Sequence, residues 1–226
     1  MYSRNHLFYK LASLLFLLTA FNTPSFADNN TVKFTAQEVQ QLTGHYSTAY
    51  GYFHLQSNNG IVTTIADGKR IYLQKKSDGL IYPVYKLLGF IPFAKDDMAF
   101  TMKQAKGRQL VILHTTNKGK KVHYEIGEKF TPVPISSAWR QWLGTYKLSS
   151  KEGAKQTITL QLQIKNNVLI GTRNDDETPY PLLPRSDSSA TIPGSEEGHL
   201  VELVVKNRQL FLLQRDKTYL LTKQKI

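Results

Sequence analysis

Gln41-Leu42-Thr43-Gly44-His45-Tyr46 returns 100 residues later as Gln141-Trp142-Leu143-Gly144-Thr145-Tyr146. The echo continues along the chain: Tyr82-Pro83 returns as Tyr180-Pro181, and Lys106, Arg108, Gln109, Leu110 and Leu113 return as Lys206, Arg208, Gln209, Leu210 and Leu213. Three blocks recurring in one order describe a unit built twice. The spacing predicts equivalent roles for Gly44 and Gly144, with Tyr46 and Tyr146 each opening a strand and packing inward.

Outward from these blocks the pattern is β. Tyr52-Phe53-His54-Leu55-Gln56 and Ile61-Val62-Thr63-Thr64-Ile65 flank Asn58-Asn59-Gly60, a turn suited to φ > 0. Between Asp67-Gly68 and Asp78-Gly79, Ile71 and Leu73 alternate with Arg70, Tyr72 and Gln74. Residues 99–103, 109–115 and 122–126 continue the meander, and the second half repeats it at 158–164, 168–173, 199–205, 209–214 and 218–222. Short strands with turn residues between them indicate antiparallel barrels or sandwiches. Residues 36–42 form one or two helical turns, with Thr35 as N-cap and Glu38 at the capping-box position. Trp139 and Trp142 are expected to pin the linker to the second repeat, Trp142 standing where Leu42 stands in the first.

The amino terminus carries an address. Arg4 and Lys10 precede an apolar run from Leu11 to Phe21, and Ser25-Phe26-Ala27 offers small residues for cleavage after Ala27. The expected location is the periplasm or the medium, with an uncleaved amino-terminal anchor as the one membrane-spanning option. There is no cysteine. That excludes a lipobox, disulfides, a thiol nucleophile and thiolate metal sites, and a disulfide-free exported protein points to bacterial export.

The formal charge is +12, with 14 Lys and Arg against 8 Asp and Glu in residues 28–135 and 13 against 9 in residues 136–226. Such a surface favours polyanions, and export argues against nucleic acid. The same bases also serve to keep strand edges soluble and unpaired. The repeats differ most in their middle loops. Residues 174–199 hold six of the second half's nine acids, and Ser186 to Gly198 is expected to be mobile. The matching stretch of the first repeat, Leu87-Leu88-Gly89-Phe90-Ile91-Pro92-Phe93, is apolar. It reads either as a buried strand or barrel plug or as an exposed lip for a lipid, membrane or partner.

The Gly-x-Tyr openings, Gly144-Thr145-Tyr146-Lys147-Leu148, Tyr180-Pro181-Leu182-Leu183-Pro184 and the hairpins around them resemble the lipocalin-like β-barrel modules found C-terminal to penicillin-binding-protein-like serine hydrolases of the β-lactamase superfamily. The resemblance spans residues 38–226 and implies an accessory role beside such a hydrolase. The catalytic motifs of that superfamily are missing: no Ser has Lys three positions on, and Tyr-x-Asn and Lys-Thr-Gly are absent. The expected architecture is all-β, two tandem antiparallel β-barrel-like domains from an internal duplication. Its parts are a signal peptide (1–27), a flexible lead (28–37), a first repeat (38–130), a Pro-containing linker (131–138) and a second repeat (139–226).

No catalytic constellation stands out. Gly-x-Ser-x-Gly and His-Glu-x-x-His are absent, and the paired carboxylates lie in the loop expected to move. Outside the signal peptide the histidines are His45, His54, His114, His123 and His199, and His114 and His123 face each other across the Asn117-Lys118-Gly119 turn if the hairpin forms. Two histidines fall short of a zinc set. The reading is therefore a non-enzymatic binding or accessory protein without cofactor, engaging an envelope protein or serine hydrolase partner, or an anionic lipid or polysaccharide. The candidate binding residues are Leu87, Leu88, Phe90 and Phe93 for apolar contact and Lys118, Lys120 and Lys121 for anions. An enzyme with an unrecognised site and an envelope scaffold are the alternatives.

Overall fold

At Asn59 and Gly60 the backbone takes φ of 49° and 78°, at Lys106 and Gly107 51° and 76°, at Asn166 and Asn167 51° and 61°, and at Asn207 and Arg208 53° and 59°. Two successive residues at positive φ twist a two-residue turn the way antiparallel strands need. These four turns set hairpins at corresponding places in the two repeats. The computed structural model describes residues 30–66, 68–87, 91–94, 98–117, 119–149, 158–193, 201–215 and 217–224.

The first repeat opens with β1 (Thr31–Val32) and helix α1 (Ala36–Leu42). Strands β2 (Gly44–Thr48), β3 (Gly51–Asn58), β4 (Ile61–Ala66), β5 (Lys69–Lys76) and β6 (Ile81–Leu87) follow in a meander. After β7 (Ile91–Ala94) come β8 (Met98–Ala105), β9 (Arg108–Asn117) and β10 (Lys120–Phe130). β10 returns to β2 with Phe130 opposite His45, and the ring closes where β6 meets β8 at the single pair Ile81 and Phe100. β7 takes the same edge of β6 further along, and β1 adds to β5, so eight strands make the barrel and two short ones trim it.

After helix α2 (Ser137–Arg140) the second repeat closes a plainer ring. Its strands are β11 (Gly144–Ser149), β12 (Thr159–Lys165), β13 (Val168–Arg173), β14 (Pro179–Pro184), β15 (Ser189–Thr191), β16 (Val201–Lys206), β17 (Gln209–Gln214) and β18 (Lys217–Lys223). The chain is thus all-β with two closed eight-stranded antiparallel barrels in tandem. One expectation needs correction. Residues 189–191 belong to β15, which bridges β14 and β16, and Ala190 is fully buried. Small side chains fit that inner position, while the Ser186 hydroxyl receives the Ser188 backbone N–H across the turn before it.

The repeated motif performs the same work twice. The Tyr46 and Tyr146 rings are buried, and their hydroxyls donate to the Leu42 and Trp142 carbonyls at 2.6 and 2.7 Å. Burial pushes both phenols upward, that of Tyr146 to about 12. From the last strand of each barrel, Lys129 Nζ and Lys223 Nζ donate to the Gln41 and Gln141 carbonyls at 2.7 and 3.1 Å. Each lysine passes over the glycine: a Cβ on Gly44 would stand 2.6 Å from Lys129 Cε, and one on Gly144 3.1 Å from Lys223 Cε. With φ of 137° and 132°, the two glycines admit both the backbone path and the lysine. Helix, first strand and last strand are so tied at one point in each repeat.

Thr35 and Glu38 form a reciprocal capping box at α1, and Ser136 caps α2. In the first barrel Leu42, Tyr46, Leu55, Val62, Ile81 and Val111 make the core. In the second, Trp139 is the plug, fully buried beneath Leu162, Leu169, Leu203 and Leu210, with Nε1 donating to the Ser186 carbonyl at 2.7 Å. Trp142 matches Leu42 in the backbone but is only half-buried, because Trp139 already fills the volume at that barrel end.

The barrels dock side to side. Outward-facing Tyr52 and Phe130 pack on Val168 and Ile170, whose neighbour Leu169 points into the second barrel. Ser47, buried here, donates from Oγ to the Pro193 carbonyl at 2.8 Å. Gly51, at φ 103°, lies against the other barrel: a Cβ there would come within 2.7 Å of Thr178 Cγ2 and 2.8 Å of the Pro179 oxygen. Gly51→Ala is therefore expected to separate the barrels while leaving each folded, seen as a larger radius of gyration by solution scattering with an unchanged far-UV spectrum. An unchanged radius would show that the contact tolerates the methyl group.

Candidate functional site

Core side chains pack inside both barrels, and the polar side chains converge on the outside. Alternation along β3 sends Leu55 inward and His54, Gln56 and Asn58 outward. These three, with Thr43 at the end of α1, Thr63 on β4 and Arg70 on β5, line an open groove of about 690 Å³. Register explains the convergence: Gln56 lies opposite Thr63, Asn58 opposite Ile61, and Arg70 opposite Ile65. Ile61 and Ile65 are 54% and 59% exposed, so a row of hydrogen-bonding side chains ending in a guanidinium runs beside two bare isoleucines. Amides, hydroxyls and a cation on one shallow face can hold hydroxyl-rich or anionic chains lying along it.

His54 joins this groove to the docked face. Its ring stacks on that of His45, directly opposite in register, with centroids 4.2 Å apart and planes inclined by 8°. His45 Nδ1 lies 2.8 Å from the Tyr52 hydroxyl, and Tyr52 also hydrogen-bonds Asn166 of the second barrel. Burial, then the neighbouring His54, pull the His45 imidazole down to about 4, and burial lowers His54 as well. Both rings are therefore neutral at pH 7.

The residues singled out from sequence fall elsewhere on the first barrel. Leu87 ends β6 and Phe93 lies in β7, two strands that pair antiparallel, with Leu87 opposite Ile91. Leu88, Phe90 and Lys118 lie outside the described residues. Lys120 and Lys121 are exposed at the start of β10. Ile81 pairs with Phe100 and Met98 with Thr115, so β6 running on to Leu87 and β9 running on to Asn117 head toward the same rim. Leu87 at the end of β6 and Lys120 and Lys121 at the start of β10 thus share one barrel end. Of the other bases, Lys75 bonds Glu38 at 2.5 Å and Lys76 sits over the Tyr82 ring.

His114 and His123 do face each other, edge to face at 4.4 Å, with His114 Nε2 2.7 Å from Thr101 Oγ1. Among the described residues no group of three or more His, Asp or Glu side chains is placed to hold a metal. Thr64 Oγ1, inside the first barrel, is the one buried side-chain polar atom among them without a partner.

The groove and the histidine stack were not singled out from sequence. Their signal was nevertheless there: His45 and His54 sit symmetrically about the Ala49-Tyr50 turn, and such symmetry makes a cross-strand pair. The docked face had its own mark, the unbroken apolar run Val168-Leu169-Ile170, which belongs to a strand covered on both sides. No family model, curated protein or solved structure matches the chain.

Proposed function

We propose that the chain is an exported, non-enzymatic binding module of the bacterial envelope or extracellular space, and that the outer face of the first barrel takes an extended anionic polysaccharide. The observation that carries this reading is the groove itself: His54, Gln56, Asn58, Thr63 and Arg70 project from three adjacent strands of the first barrel. Residues 28–226 carry 27 Lys and Arg against 17 Asp and Glu, a net +10 that supplies long-range attraction for a polyanion.

The test is affinity for a polyuronate such as alginate against neutral dextran, at low and high salt. Tighter binding of alginate, weakened by salt, is expected. Arg70→Ala should loosen it about tenfold, as the loss of a charge-assisted hydrogen bond does. Equal affinity for the two polymers, or indifference to the Arg70 change, would remove this reading.

A second reading is favoured by the shared rim. Leu87 and Phe93 of the β6–β7 pair and Lys120 and Lys121 of β10 head one end of the barrel, the combination an anionic amphiphile needs. It calls for binding to anionic but not neutral lipid vesicles that Arg70→Ala leaves intact. A serine hydrolase partner, implied by the resemblance alone, would instead require binding to neither polymer nor vesicle.

A further inference from the structure

We propose that the stacked His45–His54 pair is an acid-operated latch between the two barrels, closed while both rings are neutral and opened by proton uptake. The inference is independent of what occupies the groove.

The contact has a chain of dependence. Val168 and Ile170 rest on Tyr52 and Phe130, and Tyr52 is held by His45. Burial pushes the Tyr52 phenol above its ordinary value, and the hydrogen bond with Asn166 of the second barrel works against that rise. In the neutral tautomer with a bare Nδ1, the hydroxyl donates to His45 and accepts from the Asn166 amide. A protonated His45 has no lone pair to offer at Nδ1, so the Tyr52 hydrogen loses its acceptor and the hydroxyl that links His45 to Asn166 must reorient. A charge on either ring also faces its neighbour 4.2 Å away across the stack.

No described side chain around the pair offers the new charge a counterion. Across β10, Phe130 stands opposite His45, Lys129 turns to the Gln41 carbonyl, and Glu128, opposite Ser47, is engaged by Arg108 at 3.1 Å. On β3 the neighbours are Tyr52 and Gln56, the latter 3.4 Å from His54 Nδ1, and on the groove side the charged group is the cation Arg70. The second barrel brings Asn166, Val168 and Ile170. The sign follows. Docked, burial and the neighbouring His54 hold the His45 imidazole down to about 4. A separated state that gives the pair more water takes up protons more readily than the docked one. Docking is therefore strongest where both rings are neutral and weakens as pH falls toward 4.

The absence of cysteine makes the test direct. Spin labels at Gln104→Cys on one barrel and Arg208→Cys on the other report their separation in the whole exported chain. A single narrow distance at pH 7.5 and a longer, broader distribution at pH 4.5, with the far-UV spectrum unchanged, is expected. His45→Gln with His54→Gln should keep the narrow distance at both. A wild-type distance that does not move, or a double variant that opens as the wild type does, overturns the proposal. Should the double variant be open already at pH 7.5, the wild-type ring resonances decide: His45 must titrate in step with the distance change, and a separate midpoint overturns the latch.

Discussion

Trp139→Ala is expected to cost the second barrel about 3–5 kcal/mol, as truncating a fully enclosed aromatic does. The side chain has no exposed surface and meets the inward leucines of several strands, so the cavity left has no flexible wall to fill it. The change also strips the Ser186 carbonyl of its indole donor, which holds the turn leading into β15. With a urea dependence of about 2 kcal/mol per molar, the midpoint should fall by roughly 2 M. The transition should be followed by far-UV dichroism, because the substitution removes one of the two tryptophans. The first barrel carries Val39 at the matching place, a smaller group that only packs against its core. If unfolding shows two steps, the loss should fall on one. A midpoint within about 0.5 M of wild type would mean that the plug is dispensable.

Gly127→Ala is the second large effect, and it is backbone against backbone. A Cβ there would lie 2.1 Å from the Ser47 oxygen and 2.6 Å from the Thr48 Cα, with the Ser47 carbonyl carbon at 2.9 Å. No rotamer relieves such an overlap, because every atom met belongs to the neighbouring strand. Gly127 follows the bulge where β10 shifts register against β9, and it pairs with Thr48 on β2. The added methyl must push β2 from β10, and the displaced Ser47 is the residue that bonds Pro193 across the docked face. A loss of about 3 kcal/mol or more is expected. Gly171→Ala gives the contrast, since its Cβ would meet only the Leu182, Leu160 and Leu162 methyl groups at 3.1 to 3.6 Å. Those side chains can shift, and the cost there should be about half or less. Denaturant midpoints of the two variants compare them directly, and equal losses would contradict the distinction.

The parts of the fold legible in the chain are those fixed by short-range chemistry. The Gly-x-Tyr echo announced two equivalent first strands, Thr35 and Glu38 announced the capping box, and the Asn and Gly turns set the hairpins. Where pairing depends on residues far apart, local pattern fell silent. β15 is three residues long within a Ser-rich acidic stretch, and it becomes a strand because β14 and β16 stand on either side of it. Closure of the first barrel through Ile81 and Phe100 alone carries no local signature. The candidate site divides in the same way. Lys120 and Lys121 were legible as exposed bases because they flank a turn. The groove was not, since it forms only when β3, β4 and β5 lie side by side in one register and bring Arg70 into one lining with Gln56 and Asn58.

The lysine that ties the last strand of each repeat to the carbonyl ending its helix joins residues 88 positions apart in one repeat and 82 in the other. Each repeat thereby starts and finishes at the same place in space. A unit with adjoining ends can be copied head to tail without severing a strand, which gives the duplication a simple geometric origin. The same arrangement times assembly. Long-range closure has to bear the entropy of the intervening loop before any contact rewards it. As the chain emerges amino terminus first, the first barrel stays unlocked until Lys129 appears and the second until Lys223, so the order of locking follows the order of emergence.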